Sequence, residues 1–284
     1  MDLAQALDQR VVVLDGGLAT ELERRGADLS SRLWSARLLR DDPAAIVAAH
    51  AAFVAAGAEV VTSASYQASF DELGDDAEPL LRRSVALARE AGPRWVAASV
   101  GPYGAALADG SEYRGDYRLS VTQLREWHRP RLAVLADAGA DVLAVETIPC
   151  VAEVEALCAE LAGIGVPAWL SITCAGALTR AGEPAAEAFA LAAECPSVFA
   201  VGVNCTDPAD VPALVRLAAV TGKPVVAYPN SGESWDAAAR SWTGPRQFPT
   251  AAVEDWVASG ARLVGGCCRV RPEDIAEIAL RERS

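Results

Sequence analysis

The feature that most constrains this chain is an alternation repeated eight times: a short, β-rich apolar run, then a helical pattern. The runs fall at 11–14, 60–66, 95–100, 141–147, 168–174, 198–205, 224–228 and 263–266. Helical patterns follow at 43–56, 78–91, 120–138, 151–162, 184–194, 207–221 and 250–258, and the last opens at Pro272-Glu273-Asp274. Their ends carry punctuation: Pro43 sits in a first turn, Gly57 stops that helix, and Ser120 with Gln123 has capping-box spacing. The apolar runs are nearly continuous, as strands buried on both faces require. An open doubly wound sheet alternates too, but eight units over 284 residues fit a (β/α)₈ barrel better. With 52% hydrophobic residues the chain can fill one large core, so residues 1–284 read as one domain. Two stretches, 103–119 and 229–249, show no period; loops this long in a compact domain are often functional. Trp235 and Trp242 read as anchors of the second.

Charge and cysteine usage narrow the function. A net charge of −13 argues against nucleic-acid partners, which need a basic face. The N-terminus lacks the basic start and apolar core of a signal peptide, and no run reaches the roughly 18 apolar residues of a membrane span. The expectation is a cytoplasmic protein whose seven cysteines are reduced and serve metal binding or catalysis. With only His50 and His128 present, a three-histidine metal site is excluded.

A barrel collects its chemistry at the C-terminal ends of its strands. Those ends here are Asp15-Gly16-Gly17, Ser65-Tyr66-Gln67, Gly101-Pro102-Tyr103, Glu146-Thr147, Ser171 to Cys174, Asn204-Cys205, Tyr228-Pro229-Asn230-Ser231 and Cys267-Cys268. Cysteines pack as ordinary apolar residues in many cores. Adjacent cysteines on a strand, however, point to opposite faces, so Cys267 and Cys268 share a centre only where the strand turns, which Gly265-Gly266 permits. Cys205 faces the same mouth. Three thiolates with one open position describe a reactive zinc site. Its formal charge, 2 − 3 = −1, makes it a weak Lewis acid for hydrolysis but suits deprotonation of an incoming thiol. The electron-rich thiolate then attacks an electrophilic carbon, such as a sulfonium methyl group.

Four segments make the chain resemble the zinc-dependent homocysteine S-methyltransferases over nearly its whole length: Asp15-Gly16-Gly17, Glu146-Thr147-Ile148-Pro149, Gly202-Val203-Asn204-Cys205-Thr206 and Gly265-Gly266-Cys267-Cys268-Arg269. Ser65-Tyr66-Gln67-Ala68-Ser69 and Tyr228-Pro229-Asn230-Ser231-Gly232-Glu233 resemble the branch that uses S-methylmethionine or S-adenosylmethionine. The resemblance implies that Cys205, Cys267 and Cys268 ligate Zn2+. It implies that Glu146, helped by the Asp15–Gly16 turn, holds the homocysteine ammonium. Asn230 matches a position that lends its side-chain oxygen to the zinc before homocysteine arrives. Tyr66 and Tyr103 would present their rings to the sulfonium.

Plainer readings stand beside these. Glu146 could be an ion pair at the rim, Asp15 an ordinary turn, Asn230 a loop cap, and the two tyrosines packing residues. Cys150, Cys158, Cys174 and Cys195 have no partner at metal spacing, and both histidines read as structural or exposed. The expected partners are small molecules, homocysteine and a sulfonium donor, with no nucleic acid and no membrane. The rivals are betaine as donor, selenocysteine as acceptor, and a barrel that binds zinc or homocysteine without turnover. A cysteine-nucleophile hydrolase needs a histidine near a cysteine, and neither histidine is at a strand end.

Overall fold

The computed structural model describes residues 1–28, 34–236, 241–246 and 248–282. Eight parallel strands carry the architecture: β1 (Val12–Val13), β2 (Val60–Thr62), β3 (Trp95–Val100), β4 (Val142–Ile148), β5 (Ala168–Ile172), β6 (Val198–Asn204), β7 (Val225–Tyr228) and β8 (Ala261–Val264). Their order around the sheet is β1-β8-β7-β6-β5-β4-β3-β2. A parallel bridge between Leu14 and Val60 joins the two end strands, with Glu59 N–H donating to Val13 O at 2.8 Å. The sheet is thereby a nearly closed (β/α)₈ barrel.

Each strand leads to a main helix of the outer layer: α1 (Pro43–Ala55), α2 (Ala77–Glu90), α3 (Val121–Asp137), α4 (Val151–Leu161), α5 (Ala185–Glu194), α6 (Val211–Ala219), α7 (Val253–Ala258) and α8 (Pro272–Arg281). Pro43 opens α1 behind an Asp42 cap, and Ser120 with Gln123 forms the reciprocal capping box of α3. Further short helices, among them Leu3–Gln9 and Leu18–Arg24, were not legible in the sequence. The first brings Leu3, Ala6 and Leu7 into the barrel's inner cluster.

The period of two in the strands sorts their residues. Val13, Val61, Val96, Leu143, Leu170, Val201, Ala227 and Val264 belong to the cluster shared with the helices. Val12, Val60, Trp95, Ala97, Val142, Ala144, Trp169, Ala200, Val226 and Leu263 form the inner cluster. Two residues further along the inward rows, apolar side chains give way to polar ones. The step is Val60 to Thr62, Ala97 to Ser99, Ala144 to Glu146, Trp169 to Ser171, and Gly202 to Asn204. The inner rows are oily at one end and polar at the other, which puts the chemistry at the C-terminal mouth.

Three departures from the sequence reading have local causes. The second strand stops at Thr62 rather than Tyr66. Ser63 and Ser65 hydroxyls bond each other at 2.7 Å and Ser65 Oγ donates to Ser99 O at 2.7 Å, so side chains replace the ladder. The stretch 103–119 is not structureless. It holds a helix, Tyr103–Leu107, ended by left-handed Ala108, and a 3₁₀ turn, Ser111–Tyr113. A Cβ on Gly104 would sit 2.5 Å from Glu112 N and 2.7 Å from Tyr117 Oη, so only glycine lets this stretch fold back on itself. The stretch after β7 carries an antiparallel pair, Ser234–Asp236 with Ser241–Thr243; the Trp235 and Trp242 side chains lie outside the described ones. Among the described residues no helix is long and apolar enough to cross a membrane.

Candidate active site

Cys205 follows β6 directly and Cys267-Cys268 follow β8 after two glycines. Cys205 adopts φ 47°, a left-handed conformation that costs a residue bearing a Cβ roughly 1–3 kcal/mol. Its carbonyl is held by Thr173 Oγ1 at 3.1 Å and Arg180 Nη2 at 3.3 Å. The turn after Cys268 uses a second left-handed residue, Arg269 at φ 67°, whose N–H donates to Thr20 Oγ1 at 2.9 Å. Gly265 and Gly266 are not the left-handed residues here. Their role is space: a Cβ on Gly265 would lie 2.6 Å from Asp15 O, and one on Gly266 would collide with Val270. Gly16 and Gly17 answer from the other side, with Cβ positions 2.8 Å from Val270 O and 2.6 Å from Cys267 O. The four glycines let the ends of β1 and β8 pack backbone to backbone.

The three sulfurs converge. All lie within 4.8 Å of one another, with Cys205 Sγ 4.0 Å from Cys268 Sγ. The Cys205 and Cys267 sulfurs are in direct contact, with Cα atoms 5.6 Å apart. That Cα spacing falls in the disulfide range, and the same approach suits two thiolates sharing an ion. Three thiols fit zinc: ligands about 2.3 Å from a tetrahedral ion stand about 3.8 Å apart, close to the Cys205–Cys268 spacing. The ion needs the reduced pair. Burial pushes the Cys268 thiol up to about 12, an ordinary result for a thiol without a cation beside it.

Asn230 is half-buried. Its Oδ1 accepts from Cys268 N–H at 3.2 Å, which ties the loop after β7 to the cysteine pair.

Beside the sulfurs lies a cavity of about 130 Å³. Asp15, Gly16, Tyr66, Glu146, Cys205, Cys267 and Cys268 all line it, as do Thr62, Ser99, Glu112, Tyr113 and Tyr228, and none of the lining residues is basic. Asp15 is buried and accepts from Thr62 N at 2.8 Å and Thr62 Oγ1 at 3.2 Å. Its carboxyl is held well above the usual range, first by desolvation and then by nearby Glu146, against the Thr62 hydrogen bonds. Glu146 is raised by the same desolvation, moderated by hydrogen bonds from Ser99, at 2.5 Å, and Tyr228. Two buried carboxylates that repel each other form a site that a cation would settle.

A hydrogen-bonded chain fixes these groups. Tyr228 Oη meets Ser171 Oγ at 2.7 Å and accepts from Trp169 Nε1 at 2.9 Å. Ser171 Oγ donates to Asn204 Oδ1 at 2.8 Å. Asn204 Oδ1 also accepts from Thr147 N–H at 2.7 Å, and its Nδ2 donates to Thr147 Oγ1 at 2.7 Å. Thr147 is left-handed, φ 62°, directly after Glu146. Behind the mouth, buried Arg131 of α3 donates to Gly101 O, Ser65 O and Tyr66 O at 3.0, 3.0 and 2.7 Å and pins the turn after β2 that carries Tyr66.

Several residues go elsewhere. Tyr103 packs edge-on against Tyr117 and Trp127, with centroids 5.3 and 5.2 Å away, so of the two tyrosines only Tyr66 lines the cavity. His50 and His128 are both buried, and His128 Nε2 meets Glu153 Oε1 at 2.9 Å. Cys150, Cys158, Cys174 and Cys195 stay outside the cluster. The sequence reading gave no role to Ser99, Asn204, Tyr228, Glu112 or Tyr113, although Asn204 and Tyr228 stood among its strand ends. The first three sit on inward rows, Ser99 two residues after Ala97, Asn204 four after Ala200 and Tyr228 two after Val226. Glu112 and Tyr113 belong to an aperiodic stretch and lie on no such row. Burial raises the Glu112 carboxyl to about 7, and its Oε2 has no hydrogen-bond partner.

Residues 12–281 match the family model described as homocysteine S-methyltransferase. The homocysteine S-methyltransferase YbgG of Bacillus subtilis is 42% identical, with 96% of this chain and 95% of that protein covered. The selenocysteine Se-methyltransferase of Brassica oleracea var. italica is 43% identical, over 95% and 88%. The crystal structure of the homocysteine methyltransferase MmuM from Escherichia coli in its metallated form superimposes with a TM-score of 0.86 at 41% identity, covering 96% of both chains.

Proposed function

Because the chain belongs to the homocysteine S-methyltransferase family, we propose that it moves a methyl group from a sulfonium donor to the thiol of L-homocysteine, with zinc held by Cys205, Cys267 and Cys268. S-methylmethionine is the first donor and S-adenosylmethionine the second; the products are methionine and the demethylated donor. The observation that carries this reading is the convergence of three sulfurs on a cavity lined by carboxylates and no base.

Bound there, zinc supplies a low pKa for the entering thiol while three thiolate ligands keep that sulfur nucleophilic. The chain's own residues do the rest. Glu146 and Asp15 receive the homocysteine ammonium, which pairs with their shared negative charge and places the thiol toward the sulfurs. Ser99, Tyr228 and Thr62 orient the two carboxylates, so little is reorganised on binding. Asn230 fixes the Cys268 backbone, and Tyr66 offers a ring face to a cation, worth roughly 0.5–2 kcal/mol. No base is needed near the transferred carbon, because the acceptor thiol loses its proton before attack.

A second acceptor has a specific observation behind it: selenocysteine, the substrate named for the plant relative. Selenocysteine shares the ammonium and presents a softer nucleophile to the same donor. The test is product formation by zinc-loaded protein, with homocysteine or selenocysteine against S-methylmethionine, S-adenosylmethionine and betaine in parallel. Methionine from a sulfonium donor supports the reading. Turnover with betaine alone, or zinc binding without turnover, overturns it.

A further inference from the structure

The cavity holds one more carboxylate than homocysteine needs. Asp15 accepts from Thr62 and Glu146 from Ser99, and the charge of Glu146 bears on Asp15. Glu112 comes from a different element, the 3₁₀ turn between β3 and α3, lines the same cavity, and leaves buried Oε2 without a partner. Its neighbour Tyr113 lines that cavity together with Cys205, Cys267 and Cys268 and lies under the Arg180 guanidinium, 5.5 Å from the ring centroid, so the turn walls the cavity that holds the sulfur cluster. Gly104 is the residue that allows this fold-back. An unpaired carboxylate oxygen shut away from water costs free energy in the empty site, and the loss is recovered by a cation that enters.

We propose that Glu112 receives the sulfonium centre of the methyl donor and so selects donors whose leaving group is a positively charged sulfur. The proposal rests on the sulfonium-donor reading above. A sulfonium has no N–H to donate, so it is recognised by charge and not by directed hydrogen bonds; an otherwise unpartnered carboxylate suits it. In the transfer, a lone pair on the homocysteine sulfur forms the new S–C bond. The donor's S–CH₃ pair stays with the departing sulfur, which becomes a neutral thioether. The positive charge beside Glu112 therefore falls as the reaction proceeds. Glu112 strengthens the ground state more than the transition state, lowers the donor KM without raising kcat, and releases its hold once the product is neutral.

The experiment uses zinc-loaded wild-type protein, Glu112→Gln and Glu112→Asp, with steady-state kinetics and calorimetric titration of S-methylmethionine and of methionine. These two share the amino-acid end and differ in the charge on sulfur. Glu112→Gln should weaken S-methylmethionine by about tenfold or more, leave methionine and the homocysteine KM within about twofold, and leave kcat unchanged or raised. Glu112→Asp, which keeps the charge, should retain most of the donor affinity. Unchanged S-methylmethionine affinity in Glu112→Gln overturns the proposal. Equal weakening of methionine also overturns it, since the carboxylate would then meet the donor's ammonium. If the wild type turns over no sulfonium donor, the functional reading falls and this proposal with it. Wild-type turnover with unaltered affinity in Glu112→Gln removes this proposal alone.

Discussion

Replacing Asn204 with alanine should damage the fold before it touches any ligand. The side chain is fully buried and makes three hydrogen bonds: from Thr147 N–H at 2.7 Å, from Ser171 Oγ at 2.8 Å, and to Thr147 Oγ1 at 2.7 Å. Ser171 retains Tyr228 as an alternative partner at 2.7 Å, so its loss is the smallest. Thr147 N–H is different. It lies buried on a residue at φ 62°, and Asn204 is what holds it there. An orphaned buried N–H costs roughly 1–3 kcal/mol and each further hydrogen bond about 1, so Asn204→Ala should lose about 4 kcal/mol. For a chain of this length that lowers Tm by roughly 7 °C. Thermal and urea denaturation measure it, with Asn230→Ala as the comparison. Asn230 is half-buried and makes a single 3.2 Å bond to Cys268, so its loss should cost about 1 kcal/mol. If Asn204→Ala cost no more than Asn230→Ala, the chain of polar contacts would not be what fixes the mouth.

Further outcomes follow from the same geometry. Cys267→Ser should lose most bound zinc, measured by metal analysis, and methyl transfer with it, since one of three convergent sulfurs is removed. Glu146→Ala should raise the homocysteine KM by about tenfold to a hundredfold and leave zinc content intact, because it deletes an ammonium partner and no ligand. His50 is buried on α1 without a hydrogen-bond partner, and desolvation lowers its pKa to about 4. Its folded value is below the unfolded one of about 6.5, so the stability it contributes is full above that pH. About 3 kcal/mol should be lost as pH falls from 6.5 toward 4, and His50→Leu should flatten that part of a denaturation profile.

The barrel and the sulfur cluster were legible in the sequence for the same reason. Apolar runs of strand length ended at residues whose type alone carries chemistry, and a cysteine does not need a known neighbour to be noticed. Asp15 and Glu146 were legible as acids closing apolar runs. Asn204 and Tyr228 were visible at strand ends but carried no role, and Ser99 was silent, because a polar residue inside a strand acquires meaning only when its inward parity and its partners are known. The glycines were found for the wrong reason. Gly265 and Gly266 looked like residues freed to turn, whereas they are residues without a Cβ against Asp15 O and Val270. The left-handed turns fall on Cys205 and Arg269, where sequence gives no warning. Glu112 was hidden by the aperiodic stretch that carries it; nothing local in 103–119 reports that Gly104 folds the turn back over the cysteines. Tyr103 shows the converse: a tyrosine at a strand end that packs against Tyr117 and Trp127 and leaves the cavity to Tyr66.

The most direct test is X-ray absorption at the zinc edge of reduced, zinc-loaded protein, before and after homocysteine. Three sulfur scatterers at about 2.3 Å should become four when the amino acid binds. A first shell dominated by nitrogen or oxygen, or a sulfur count that homocysteine leaves unchanged, would contradict the claim that Cys205, Cys267 and Cys268 hold the ion that takes up the substrate thiol.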